Sequence, residues 1–476
     1  MAEPVAGPPE GSGVGEVIRW YRQRAGLTQQ DTAVVLNTTQ SRLSKIEIGA
    51  LLLGIDELRF IAGKLSIPLD RLGILPDRSV SAAAQHEQVS GSPGTPLVSQ
   101  ERWRRVRAEL NANRAPLGDL AAELYPKVHR IPGSAALTRP EWVPAAPVEI
   151  GDIELYWVAD PVSPNITGGI SQSESARPLG SDGTRYSRYS QALRDLARPK
   201  LLDNRLSYRL LDVEWTTTGG RLGFGYTSYF ETFDVCEATA HEFAEAWLRA
   251  GRKRPSLAHL PLRRHLTDPF DLTARPALLS IGTLTIRRDP IEGHRIYLHQ
   301  RDAKAVAAGG GHLHVVPSGA FQPAGLAPAH QVNDFSLWRN IQREYSEEFL
   351  GNPEHDGNSM NPIDYDHDEP FRSFTAAREA GDFRIFATAV ALFPLTLWVE
   401  LLTIAVIDAP VFDRLFAGMV SVNEEGAAVS TEAGRPAVGI PFTSATRERL
   451  RIEPLSPIAR ACIEQAWQHR HLLLAR

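Results

Sequence analysis

Cysteine is nearly missing from this chain: Cys236 and Cys462 are the only two in 476 residues, and they lie far apart in sequence. That excludes a disulfide framework and a cysteine-rich zinc site, and it suits a reducing compartment. An excess of positive charge is missing too. The formal net charge is −5, so the chain as a whole is not a general binder of polyanions. No long apolar run goes unbroken. The most apolar stretch, Ile385 to Ile407, is flanked by Arg384 and Asp408 and interrupted by Pro394 and Glu400. Burying Glu400 in a bilayer would cost about 2.5–3.5 kcal/mol. Two buried strands with a turn near Pro394 are expected there, and no membrane span. Residues 1–13 are acidic and Pro/Gly-rich, without the apolar centre of a secretory signal, and are expected to be a disordered tail. Together these absences imply a cytoplasmic protein.

What is present begins with residues 26–49. Two short helices joined by a tight turn are expected. Thr28 is a good N-cap, Leu27 can staple the first turn, and Ala33 and Leu36 give the first helix a buried side. Asn37 tolerates the left-handed conformation of a helix stop. Thr39 caps the second helix, Leu43 and Ile46 are its buried residues, and Gly49 ends it. Its outer face then carries Gln40, Ser41, Arg42, Ser44 and Lys45: polar, with two positive charges and no negative one. A helix of this size fits the major groove, where such side chains read base edges. Helix one, just upstream, is expected to bury Val17, Ile18 and Trp20 or Tyr21, with Arg19, Arg22 and Arg24 outward. Leu58, Ile61, Ala62 and Leu65 recur at helical spacing and close a small core. Over residues 15–75 there are eight Lys/Arg and six Asp/Glu, a balance of +2, which favours salt-sensitive binding by a small module.

These residues resemble a known family. Residues 14–75 look like a Cro/CI-type (XRE, lambda-repressor-like) helix-turn-helix domain of five helices. The resemblance rests on Arg24-Ala25-Gly26-Leu27-Thr28-Gln29, on the turn Leu36-Asn37-Thr38-Thr39-Gln40-Ser41, on Leu43-Ser44-Lys45-Ile46-Glu47, and on Ile61 to Ile67. Asn37-Thr38 departs from the Gly-Val common at the turn. The resemblance implies that Gln29 contacts a phosphate and that Gln40, Ser41 and Lys45 read bases, with Arg42 beside them. The alternative is a helical module used only for protein contacts.

Residues 76–97 shift to Ser, Ala, Gly, Gln and Pro and read as a flexible linker. Residues 98–199 read as a helical and extended connecting region. It starts with a surface helix pair over 98–125, continues with a strand from Ile153 to Val158, and ends in a mobile loop at 161–185. Residues 200–476 read as a large α+β region. Strands are expected at Leu206–Val213, Arg221–Phe230, Leu278–Ile286, His294–Leu298 and His312–Val316. Helices are expected at Asp234–Leu248, Phe335–Leu350 and Ile458–Leu474.

In the Phe335–Leu350 helix, Glu344, Glu347 and Glu348 stand at i, i+3 and i+4 and share one face, opposite Leu337, Trp338, Ile341, Tyr345 and Phe349. Three carboxylates this close face open water or hold a hard cation such as magnesium or manganese between them. The run Arg343-Glu344-Tyr345-Ser346-Glu347-Glu348 resembles the core of the Nudix box, and Val315 to Pro323 resembles its approach. Gly351 stands one place late, the upstream glutamate position holds Phe335 with Asp334 adjacent, and Gly319 to Arg343 is about ten residues too long. The resemblance implies a Nudix-like fold in which Glu344, Glu347 and Glu348 hold a divalent metal and activate water against a diphosphate. A solvated face with Arg343 bonded to Glu347 is the plain alternative. Weaker candidates are His312 with His314, the Ala308–Gly311 turn, Ser318, and a loop holding His355, Asp356, Asp364, Asp366, His367 and Asp368. All read more simply as structural or solvated.

The reading that results is a multidomain DNA-binding regulator. An N-terminal module reads a duplex operator as part of a homodimer, and a C-terminal region senses a phosphorylated ligand or mediates assembly. A Nudix-type hydrolase with a DNA-binding appendage and an antitoxin-like partner binder are the rival classes.

Overall fold

A computed structural model describes residues 13–36, 38–49, 51, 53–65, 67–72, 95–199, 202–301, 313–353, 361–420, 426–429 and 439–475. The first part is all-helical: α1 (Val14–Arg24), α2 (Gln29–Val35), α3 (Gln40–Glu47) and α4 (Ile55–Leu65), closed by a 3-10 turn at Leu69–Leu72 where a fifth helix was expected. Val17, Ile18, Ala33, Leu36, Leu43, Ile46, Leu58, Ile61, Ala62 and Leu65 form one core, as their spacing predicts. Fully burying a side chain of this kind contributes about 1.5–3 kcal/mol. Asn37, the expected helix stop, lies outside the described residues, as do residues 1–12 and most of the linker.

The helices that follow are α5 (Pro96–Ala112), α6 (Arg114–Ala122), α7 (Tyr189–Leu196), α8 (Tyr229–Arg249), α9 (Pro261–His265), α10 (Pro328–Asn333), α11 (Leu337–Glu348), α12 (Phe371–Glu379), α13 (Ala409–Leu415), α14 (Ser444–Leu450), α15 (Pro457–Gln468) and α16 (Arg470–Leu473). The strands, in chain order, are β1 (His129–Arg130), β2 (Leu137–Thr138), β3 (Val148–Glu149), β4 (Ile153–Trp157), β5 (Leu206–Trp215), β6 (Gly220–Ser228), β7 (Leu279–Arg288), β8 (Arg295–Ile296), β9 (Leu298–Arg301), β10 (Leu313–Val315), β11 (Ser318–Ala320), β12 (Phe383–Leu392), β13 (Val399–Asp408), β14 (Gly426–Val429) and β15 (Ile440–Pro441).

The largest sheet runs β1-β2-β12-β13-β7-β8-β15, with β11 added on β7 and β3 on β12. β12 and β13 come from the apolar run at 385–407, and they pair antiparallel across the turn expected near Pro394. β13 and β7 pair in parallel along their whole length, from Val399 opposite Leu279 to Asp408 opposite Arg288. Their residues are buried on both faces, which is why the run reads as continuously apolar and not alternating. One face belongs to the core that holds Ile341 and Tyr345 of α11, Phe374 of α12 and Phe412 of α13. The other packs on Ile458, Ala459, Cys462 and Ile463 of α15. No helix among the described residues is long and apolar enough to cross a membrane.

Among the described residues, two further sheets have three strands each, β4-β6-β5 and β10-β9-β14. β4 pairs with β6 in parallel, while β2 and β3 pair with β12. The segment read as a connector therefore supplies strands to both the large sheet and the β4-β6-β5 sheet, and Trp103 of α5 sits in the same core as β13. Nor is the first helix pair a surface pair, since α5 and α6 both pack on α8. The Ser/Gly-rich loop at 161–185, expected to be mobile, is fastened by one buried arginine. The Arg177 guanidinium donates to Ile170 O at 2.9 Å, Tyr186 O at 3.0 Å and Ser173 Oγ at 3.1 Å.

Candidate nucleic-acid interface and carboxylate helix

Side-chain caps open both α2 and α3. Thr28 Oγ1 accepts the Asp31 N–H at 3.2 Å, and the Asp31 carboxylate accepts the Thr28 hydroxyl at 2.6 Å and its N–H at 3.2 Å. This reciprocal pattern satisfies donors that a helix start leaves open. The Thr28 hydroxyl, and after it the Thr28 N–H, hold the Asp31 carboxyl below its ordinary range. Thr39 Oγ1 accepts the Arg42 N–H at 3.2 Å, so the Thr39 hydroxyl is committed to starting α3.

From that start α3 turns Leu43, Ile46 and Glu47 inward. Gln40, Ser41, Arg42 and Lys45 are exposed and Ser44 is half-buried. Arg42 reaches across to Glu57 of α4 at 2.8 Å, a pair about two-fifths exposed on both sides. Such a pair is worth roughly 0–1 kcal/mol, so Arg42 can be recruited by another anion at little cost.

Glu47 is the hub under this face. Its side chain is fully buried and pairs with Arg22. It also accepts Gln29 Nε2 at 2.9 Å, and Arg19 Nε stands 3.7 Å away. Arg22 also donates to Leu27 O at 2.8 Å. Arg22 was expected to point outward, but the structure buries it, because an inward carboxylate in a small apolar core needs a cation. The signal was in the sequence: Glu47 shares the i, i+4 face of Leu43. Gln29, read as a phosphate contact, is held at the foot of α2 by this same hub, which locks α2 to the end of α3.

The second candidate is α11. Its inner face is as the spacing predicts, with Leu337, Ile341, Tyr345 and Phe349 in the core and Trp338 packed beside it. The other face is not open water, since Glu344, Glu347 and Glu348 are all half-buried. Glu348 accepts the Ser318 N–H at 2.8 Å and stands 3.8 Å from His299 Nδ1. Glu344 lies on β11 so closely that a Cβ on Gly319 would come within 2.0 Å of its carboxylate. Arg343 turns inward, at 5% exposed. It donates to Gln322 O at 2.5 Å and Asn340 Oδ1 at 3.0 Å, and pairs with Asp334 at 3.5 Å. Asp334 thus meets Arg343 where the sequence pattern had Phe335 in the glutamate position. The helix ends through Gly351 N–H to Glu347 O at 3.2 Å and Asn352 N–H to Ser346 O at 3.1 Å. Among the described residues, no group of three or more His, Cys, Asp or Glu side chains is placed to hold a metal ion. The three glutamates share one face of α11, with Glu344 against β11 and Glu348 against the start of the same strand.

The weaker candidates separate in the same way. His314 is buried, pairs across strands with His299, and its Nδ1 is 3.1 Å from Val315 O; His312 lies outside the described residues, as do Ala308–Gly311, His355 and Asp356. Ser318 meets Glu348 through its backbone. Asp364 and His367 form an exposed pair at 3.0 Å within one turn.

A family model described as helix-turn-helix matches residues 18–72, which span the core of α1 to α4. No curated protein matches the chain. The N-terminal module is a helix-turn-helix unit, followed by a large α+β region.

Proposed function

We propose that the protein is a sequence-specific DNA-binding regulator, and one observation carries this reading. The exposed face of α3 gathers Gln40, Ser41, Arg42 and Lys45, while Leu43 and Ile46 anchor it and the Glu47 hub fixes it against α2. A helix supported on one side and polar on the other is suited to lie in a major groove. Gln40, Ser41 and Lys45 are the base-reading residues, and Arg42 exchanges Glu57 for a phosphate. Ser44 flanks them, while Thr39 and Gln29 act through the caps and the hub, with their outer edges toward the DNA backbone. One such helix reads one half-site, so the working species is a homodimer with half-sites about 34 Å apart. The α+β region acts as its sensor or assembly unit.

A duplex selected from a random library by the full chain tests this. Gln40→Ala and Lys45→Ala should each weaken that duplex by about 1–3 kcal/mol and relax sequence preference. Gln29→Ala should weaken selected and random duplexes alike. Binding like wild type by both α3 variants would defeat the assignment.

A second reading concerns α11. The pairing of Arg343 with Asp334 and the close seat of Glu344 on Gly319 favour a Nudix-like arrangement that binds a phosphorylated small molecule with little or no turnover. A divalent cation bound with the phosphates would be met by Glu344, Glu347 and Glu348, the acidic residues of this face. Calorimetry with magnesium and nucleoside diphosphate derivatives, beside a phosphate-release assay, separates binding from hydrolysis. Rapid metal-dependent release would make the protein an enzyme.

A further inference from the structure

The helix-turn-helix core is not closed by its own residues alone. Leu326, half-buried, packs against the cluster formed by Val17, Ile18, Leu43, Leu58 and their neighbours, and among the described apolar residues it is the one from outside the module to do so. It lies in the loop between β11 and α10, and that loop is clamped at several points. Gln331 Nε2 donates to Leu326 O at 2.6 Å, and the Ala324 N–H donates to Asp334 Oδ2 at 2.8 Å. Tyr365 OH holds the other Asp334 oxygen at 2.7 Å. Arg343 of the carboxylate helix binds both Gln322 O and Asp334. The seat that receives the module is thus built from the same arginine that organises α11. Meanwhile the outer face of α3 stays exposed, so the seat restrains the module without covering its reading surface.

We propose that this loop is the docking surface for the helix-turn-helix module, and that Leu326 couples the state of α11 to DNA binding. The docking stands on the contacts above; the coupling to DNA rests on the function proposed for α3. Because coupling is reciprocal, DNA on α3 should tighten the loop, and loss of the seat should loosen the module.

Hydrogen exchange on the full chain tests both. Leu326→Asp is compared with Val332→Asp, which places the same charge on a residue of α10 that is 79% exposed. Without DNA, Leu326→Asp should speed exchange in α1 and α4 by about fivefold or more, the lower end of usual coupling, and Val332→Asp should leave it unchanged. With the library-selected duplex, exchange over residues 322–334 should slow in the wild type and not in Leu326→Asp. Thermal melting verifies that the variants fold, and Leu326→Ala replaces the aspartate if that variant does not. Equal exchange in the module of Leu326→Asp and Val332→Asp overturns the docking. Slowing by duplex that stays within residues 13–72 overturns the coupling. If no duplex binds, the function proposed for α3 fails, and the DNA-free comparison still decides the docking.

Discussion

Single buried ionisable residues carry the sharpest consequences. His241 of α8 is buried, stacks on Trp103 at 5.7 Å and has Nδ1 3.3 Å from Tyr189 OH. Burial first, then Arg107 and Arg102, push its pKa down to about 3. The folded state therefore refuses a proton that the unfolded chain accepts near 6.5. The stability it contributes is fully present above about 6.5 and is lost as pH falls toward about 3. Its neighbour Glu242 runs the other way. Burial raises its pKa to about 7, outweighing the N–H groups of Leu262 and Arg263 that it accepts. Its contribution is present at low pH and is lost as pH rises through about 7. The two slopes oppose each other, so the wild type should respond weakly between pH 7.5 and 5. His241→Phe removes one of them. Urea unfolding should show the variant gaining about 2 kcal/mol on wild type over that interval, from roughly 1.5 pH units at about 1.4 kcal/mol each. No relative gain would mean that His241 is protonated in place. Glu47 gives a second test at this scale. Glu47→Ala strands the Arg22 charge in the small core, which should cost the module about 3–5 kcal/mol, while Arg22→Met with Glu47→Leu should restore most of it. Exchange over residues 13–72 reads both. Such pairs were hard to see in the sequence. Helical spacing marks which positions face inward, and Glu47 was marked, but its partner lies a turn and a helix away.

At the scale of elements, amphipathic spacing predicted the α3 face and the inner face of α11 well, because each sets apolar residues on one side at helical spacing. It underpredicted α8, where Asp234, Glu237, His241, Glu242 and Glu245 are all buried. Charges on a helix read as a solvent face, yet here α5, α6, α7 and α9 surround it. Glu237 takes Arg114 at 2.7 Å and Arg107 at 3.4 Å; burial works against its charge, and the two arginines keep its pKa low. The short strands β1 to β3 and β11 were illegible, since two or three residues carry no period and only the register of a partner strand defines them. Packing between elements also sets the sign of two glycine substitutions in the module. A Cβ on Gly15 would fall 2.3 Å from Ile46 O and 2.9 Å from Glu47 O. These are backbone atoms of α3 that cannot swing aside, so Gly15→Ala must push α1 off α3 and should destabilise by about 1–3 kcal/mol. Gly63 in α4 has nothing within 4 Å of the same added atom. There Gly63→Ala should stabilise by up to about 1 kcal/mol through helix propensity alone. Thermal melting of the two variants should move in opposite directions; a shift of the same sign would mean that α1 does not lie on α3 as described.

For the whole molecule, composition suggests a break between module and body but says little of the extent of the body. The Ser/Gly/Pro-rich stretch before Thr95 reads as a linker, and limited proteolysis should cut there first. The stretch around 161–185 has a similar composition. A boundary near residue 200 was the natural inference, because periodic strands become legible only beyond it. Backbone pairing decides otherwise. β2 and β3 lie on β12, and β4 extends β6, so cutting at 200 leaves the donors and acceptors of both partner strands unmatched. It also removes Arg107 and Arg114, leaving Glu237 buried without its cations, a loss of about 3–5 kcal/mol for a broken buried pair. It removes Trp103, Trp142 and Tyr189 from the main core as well, each worth roughly 3–5 kcal/mol if vacated. Those losses together, about 12–20 kcal/mol, match or exceed the roughly 5–15 kcal/mol that holds a typical domain. A chain of residues 95–476 should therefore be soluble and melt cooperatively. A chain of residues 200–476 should fail to fold, as judged by solubility and by amide exchange in β12 and β13. A folded 200–476 fragment would show that the earlier strands decorate the body without being part of it.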